Sequence, residues 1–132
     1  DGLTDITDDG DAPRNKELVT ALITNLFMPN GNTELAVDYI HTDVIEHGTT
    51  KLDGLNSLVL DLKSLNRNKW YQEIILMVAS GNFVATLCRI TISGQEYAQS
   101  DLFRISGGKV AEHWETLEIV PPKETWVNSG KF

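Results

Sequence analysis

From residue 71 onward the chain alternates apolar and polar positions with a period of two. The pattern predicts strands over roughly 71–79, 83–93, 97–105 and 109–118. They are joined by Ser80–Gly81–Asn82, Gly94–Gln95 and Ser106–Gly107–Gly108, connections too short for anything but antiparallel neighbours. Before residue 71 the period is helical. Leu18, Leu22, Ile23 and Leu26 recur at helical spacing between Arg14 and Met28, after the start signal Asp11–Ala12–Pro13 and before the stop Pro29 with Asn30–Gly31–Asn32. Thr33 can cap a second, short helix with Leu35, Ala36 and Tyr39 on one face. Residues 44–47 read as a brief extended piece leading into Gly48–Thr49–Thr50. Asp53–Gly54 then precede a third helix, Leu55 to Leu65, with Leu58, Leu62 and Leu65 on one stripe and Asn66–Arg67–Asn68 closing it. Helices first and a strand meander afterwards define an α+β fold rather than a doubly wound sheet. From Pro121 the tail is irregular.

Composition narrows what such a fold could do. The chain has 132 residues, which suits one domain with one core, here expected over 13–132. Residues 1–12 hold five aspartates and two glycines and read as a solvated acidic arm. No apolar run approaches the roughly 18 residues that cross a bilayer, so no membrane partner is expected. The formal net charge is −8 and no basic stripe is present, which argues against nucleic acid. An acidic surface also disfavours anionic partners and leaves a neutral or cationic small molecule. Lys63, Arg67 and Lys69 read as a solvated helix end. The single cysteine, Cys88, excludes an internal disulfide and reads as a small buried hydrophobe in its strand. It does not fix the compartment: a cytoplasmic location is expected, with a secreted or periplasmic one left open.

The last hairpin carries the candidate chemistry. A three-residue loop over Ser106–Gly107–Gly108 places Asp101 opposite His113 and Gln99 opposite Glu115. One face then gathers Tyr97, Gln99, Asp101 and Phe103 from one strand and Ala111, His113, Glu115 and Leu117 from the next. A polar centre flanked by apolar side chains suits a small-molecule pocket. Leu102, Val110 and Trp114 fall on the other face, whose apolar character calls for a cover, most simply a second copy of the chain. The alternative, a two-residue Gly107–Gly108 turn, shifts the register by one and sets Trp114 opposite Asp101.

The segment from Ser100 to Glu115, Ser–Asp–Leu–Phe–Arg–Ile–Ser–Gly–Gly–Lys–Val–Ala–Glu–His–Trp–Glu, resembles the last hairpin of SnoaL-like proteins, within the nuclear-transport-factor-2-like superfamily. Tyr39–Ile40 with Glu46–His47–Gly48 resembles the short strand before their third helix, and Asn128–Ser–Gly–Lys–Phe132 is similar to their ending. The resemblance implies a cone: a curved antiparallel sheet and three N-terminal helices enclosing a pocket, with a homodimer through the outer sheet face. Its members include polyketide cyclases, ketosteroid isomerases, dehydratases and non-catalytic binding domains, so the fold leaves the function open. By the same resemblance His47 matches the isomerases' catalytic base, Asp101 their oxyanion-stabilising acid and His113 a pocket-lining position. Their tyrosine on the first helix has no counterpart in Ala21–Leu–Ile–Thr–Asn25.

The implied chemistry needs neither metal nor organic cofactor. A neutral histidine can take a proton from carbon beside a carbonyl, and a nearby acid can stabilise the enolate oxygen. Beside His113, Asp101 is expected to stay ionised and orient the imidazole, giving an acid–base dyad with His47 as base or positioning group. Tyr97, Gln99, Phe103, Glu115 and Leu117 would line the pocket around a small apolar or aromatic carbonyl ligand, in aldol cyclisation or isomerisation. The competing reading is a non-catalytic ligand-binding or protein-interaction domain, with Asp101–His113 a satisfied buried pair and His47 a surface residue. His41, Asp43 and His47 lack a recognised zinc spacing.

Overall fold

The computed structural model describes residues 5, 7, 11–48, 51–65 and 69–132, without the side chains of Ser64 and Leu65. Most of the expected acidic arm, Thr49–Thr50 and the Asn66–Arg67–Asn68 stop lie outside the described residues. Helix α1 spans Ala12–Leu22, with Pro13 in its first turn and the Asp11 carboxylate accepting from Arg14 N at 3.1 Å. It continues into a wider π-helical turn, Ile23–Phe27, closed by Met28 N donating to Ile23 O at 3.0 Å. A 3₁₀ turn, Thr33–Leu35, leads into α2, Ala36–Tyr39. The cap there is Asn32, whose Oδ1 accepts from Glu34 N at 3.0 Å, and not the expected Thr33. Helix α3 covers Leu55–Leu65 as the leucine stripe predicts.

Five strands form one sheet: β1 (Ile40–Glu46), β2 (Lys69–Ser80), β3 (Phe83–Ile92), β4 (Gln95–Ser106) and β5 (Lys109–Ile119), in the order β1-β5-β4-β3-β2. Strands β2 to β5 are the antiparallel meander that the alternation predicts. Strand β1 begins earlier than expected and runs parallel to β5, which makes the sheet mixed. Two register shifts within β2, at Tyr71/Glu73 and Ile74/Leu76, add the bends that curve the sheet around the helices. The concave face and the helices share one core, including Val19, Leu22, Ile23 and Leu26 of the first helical segment and Val84, Cys88, Ile90 and Phe103 of the sheet. The result is an α+β cone with an open, curved sheet.

The last hairpin has the two-residue turn of the alternative sequence reading but the register of neither. Ser106 pairs with Lys109, so the turn is the two-residue Gly107–Gly108, both glycines at positive φ (56° and 77°) as a type I′ turn requires. Ile105 pairs with Val110, but Arg104 pairs with Glu112, leaving Ala111 as a bulge. The shorter turn moves the register one way and the bulge moves it one residue further. Asp101 therefore faces Glu115, Phe103 faces His113 and Gln99 faces Leu117, instead of the expected Asp101–His113 and Gln99–Glu115 pairs. Because the total shift is even, Gln99, Asp101, His113 and Glu115 keep a common face. Val110, expected outside, is in the core at 1% exposure because it precedes the bulge.

Candidate functional site

The concave face of β4 and β5 carries a buried polar network against an otherwise apolar lining. His113 is its centre. Its Nε2 lies 3.1 Å from Asp101 Oδ1 and its Nδ1 lies 3.0 Å from Glu46 Oε2. Phe103, opposite it in register, stacks on the imidazole at 4.7 Å between centroids. Asp101 also accepts from Tyr71 Oη at 3.2 Å on each oxygen, from Gln99 Nε2 at 2.7 Å and from Thr86 Oγ1 at 3.4 Å. Gln99 Nε2 reaches Tyr71 Oη as well, and Glu115 Oε2 at 3.1 Å. Asp101, His113, Gln99, Tyr71, Thr86 and Glu46 are all buried, as the satisfaction of so many polar atoms demands. Glu46 Oε1 and Gln99 Oε1 have no partner among the described residues.

The charges follow from this packing. Burial alone would lower the His113 pKa, but the hydrogen bonds its N–H groups donate to Asp101 and Glu46, and the negative charges of both, outweigh it and raise it to about 9. The imidazole is thus an imidazolium at neutral pH. Burial would raise the Asp101 carboxyl, yet His113, Gln99 and Lys69 hold it below the usual carboxylate value. The Tyr71 phenol is pushed well up, by burial first and then by Asp101 and Glu115, and stays a neutral donor. Burial pushes the Cys88 thiol up to about 12, which leaves it inert.

A small cavity of about 30 Å³ adjoins the network, lined by Phe27, Leu58 and Leu62 on the helical side and by Tyr71, His113 and Glu115 on the sheet, with Lys51, Asp61 and Lys69 completing the wall. Glu115 lies 2.9 Å from Lys51 Nζ and 3.7 Å from Lys69 Nζ. Of the residues expected to line a pocket, Glu115 reaches this wall; Gln99 and Phe103 are buried but do not line it. Tyr97 packs against the core and Leu117 is 46% exposed on the same side of the sheet. Asp101, His113 and Glu115 offer ligand atoms within 4.8 Å of one another, a spacing that a metal could span. Both His113 nitrogens and the Glu115 oxygens are already engaged by carboxylates and lysines, so a cation would have to displace them.

His47 is not brought to this network. Its backbone N–H donates to His113 O at 3.0 Å, but its side chain lies across the sheet. There Nε2 is 2.6 Å from Glu112 Oε1, and the ring stacks on Trp114 at 4.4 Å and 1°. Glu112 also accepts from Arg104 Nε at 2.8 Å, so the outer face has a buried polar cluster of its own. The residue that β1 delivers to His113 is the preceding one, Glu46, paired with it in register. Alternation from the apolar Val44, buried at 0%, places Glu46 inward and His47 outward, and this signal was available in the sequence. Tyr71 carried no such signal, because its inward direction depends on the bulge that follows it. It brings from β2 a phenol that donates to Asp101.

No family model matches the sequence, and no curated protein matches it. Solved structures do. An NTF2-like protein of unknown function from Cytophaga hutchinsonii superposes with a TM-score of 0.70 at 19% identity, over 89% of this chain and 95% of that one. An LEH-like epoxide hydrolase of M. tuberculosis gives 0.69 at 15% identity, over 82% and 85%. A SnoaL-like polyketide cyclase candidate from Jannaschia sp. gives 0.67 at 15% identity, over 87% and 91%. The chain therefore has the nuclear-transport-factor-2-like fold, which SnoaL-like proteins share. At these identities the likeness is one of fold, on which a range of chemistries is built.

Proposed function

We propose that the chain is a cofactor-independent enzyme that moves protons on a small, mostly apolar carbonyl compound, in aldol cyclisation or isomerisation. The observation that carries this reading is the buried imidazolium of His113, clamped between Asp101 and Glu46 beside the Tyr71 phenol on the wall of a cavity. The neighbours described as polyketide cyclases support the same class. His113 and Tyr71 stand on the cavity wall with their hydrogens donated to Asp101 and Glu46, so a ligand oxygen would share those hydrogens, and the positive imidazole would favour negative charge developing there. Glu115, on the same wall, would accept the carbon-bound proton, for which it must give up the Lys51 contact that helps keep it ionised. His113 thus acts as the acid of the expected Asp101–His113 pair, while His47, expected as base or positioning group, lies across the sheet. Asp101 and Glu46 hold His113 protonated and oriented. A second copy bound over the exposed Leu76 and Val78 and the half-buried Leu102 and Trp114 of the outer face completes the proposal.

Exchange of the α-protons of 2-tetralone in D₂O, followed by proton NMR, tests the activity without knowledge of the natural substrate. The protein should accelerate exchange over buffer, and His113→Gln should lose at least about 100-fold of that acceleration. Equal rates in the variant and the parent protein, or no acceleration by either, would overturn the proposal. The rival is a non-catalytic ligand-binding or protein-interaction domain; for either ligand-binding reading the cavity, at about 30 Å³ roughly the size of one water, must widen to admit the ligand.

A further inference from the structure

The cavity wall holds a cation whose charge is incompletely matched. Lys69 opens β2 and Lys51 lies between β1 and α3, and each side chain is only 14% exposed. Both converge on one carboxylate, Glu115. Lys51 reaches it at hydrogen-bond length, 2.9 Å, whereas Lys69 Nζ stops at 3.7 Å. At 3.7 Å the Lys69–Glu115 contact is an ion pair longer than a good hydrogen bond, and Nζ also lies 5.9 Å from the centroid of the Tyr71 ring. The remaining carboxylates are engaged elsewhere: Asp101 and Glu46 hold His113, and Asp61, on the same wall, is not free. Burial lowers the Lys69 pKa and, with Lys51, prevails over the opposing pull of Glu115 and Asp101. A desolvated ammonium in that position gains most from a new anionic partner.

We propose that Lys69, supported by Lys51, forms a carboxylate-binding subsite, so that the ligand of this cavity is a carbonyl compound bearing an acid group. The apolar wall of Phe27, Leu58 and Leu62 would take the ligand's hydrocarbon body while the ammonium groups hold its charged end. The inference rests on the cavity being the ligand site, but not on any turnover there.

Phenylacetate and phenylacetamide have the same shape and differ in charge, so they separate the two ideas. Binding is followed by NMR titration at low salt, read at the backbone resonances of Lys69 and Tyr71. The acid should bind about ten-fold more tightly than the amide, as a charge-assisted hydrogen bond predicts. Lys69→Met should abolish that preference while still binding the amide, and Lys69→Arg should keep it. If acid and amide bind alike, or if the preference survives in Lys69→Met, the subsite is refuted and the cavity stands. If neither compound shifts these resonances, the cavity is not the ligand site and both ideas fall.

Discussion

At the scale of single residues, His113 sets the behaviour of the site because its protonation is bound to the folded state. Its pKa is near 9 in the fold and about 6.5 in an unfolded chain. The stabilisation this represents is complete below about pH 6.5 and is lost as pH rises through 9. The Asp101 carboxyl is shifted the other way, so its contribution is present above about pH 3.9 and is lost as pH falls. The pair therefore favours the fold most between about pH 4 and 6.5. Calorimetry across a pH series should show the midpoint falling between pH 6.5 and 9.5, and His113→Gln should flatten that part of the curve. A parallel fall in the variant would assign the effect to the general charge of an acidic chain. Asp101→Asn leaves His113 with one carboxylate in a buried setting, and about 3–5 kcal/mol of stability should be lost, measurable by urea unfolding.

At the scale of elements, the β4–β5 hairpin decides whether these residues can meet. The Gly107–Gly108 turn and the bulge at Ala111 each displace the register, and together they return His113 and Glu115 to the face of Asp101. Positive φ at both turn positions tolerates asparagine but not a β-branched residue. Gly108→Val should cost about 1–2 kcal/mol in thermal or urea unfolding, and Gly107→Asn should be nearly neutral. The sequence carried the strands, the third helix and the shared face clearly, since periods of two and 3.6 repeat over many residues. It could not show the bulge, because Ala111 bears no turn chemistry and its extra place is fixed only by the pairing of its neighbours, Val110 with Ile105 and Glu112 with Arg104. The same limit hid Tyr71. His47 was misdirected for another reason: resemblance to a family position outweighed the parity of Val44 and Glu46 within a short strand.

At the scale of the whole molecule, the net charge of −8 describes the surface and not the cavity, where Lys51, Lys69 and the His113 imidazole stand among the carboxylates of Asp61, Glu115, Asp101 and Glu46. Average charge governs solubility and long-range approach. A recognised group answers to the few side chains within contact distance. The outer sheet face is governed by area instead: Leu76 and Val78 are 55% and 52% exposed there, beside Leu102 and Trp114. Sedimentation velocity should report a dimer for the parent protein and a monomer for the double variant Leu76→Lys with Val78→Lys. A monomeric parent would remove the dimer from the proposal.

The adjacency of Glu46 and His47 on β1 has a consequence for how that strand finds its place. In the native pairing each residue meets its chemical opposite, Glu46 with His113 on one side and His47 with Glu112 on the other. A slip by one position would reverse both directions at once. Imidazole would then confront imidazole within, and carboxylate would confront carboxylate without. The two neighbouring letters thus act as a proofreading mark, under which the parallel strand is accepted against β5 in one alignment and rejected in the next.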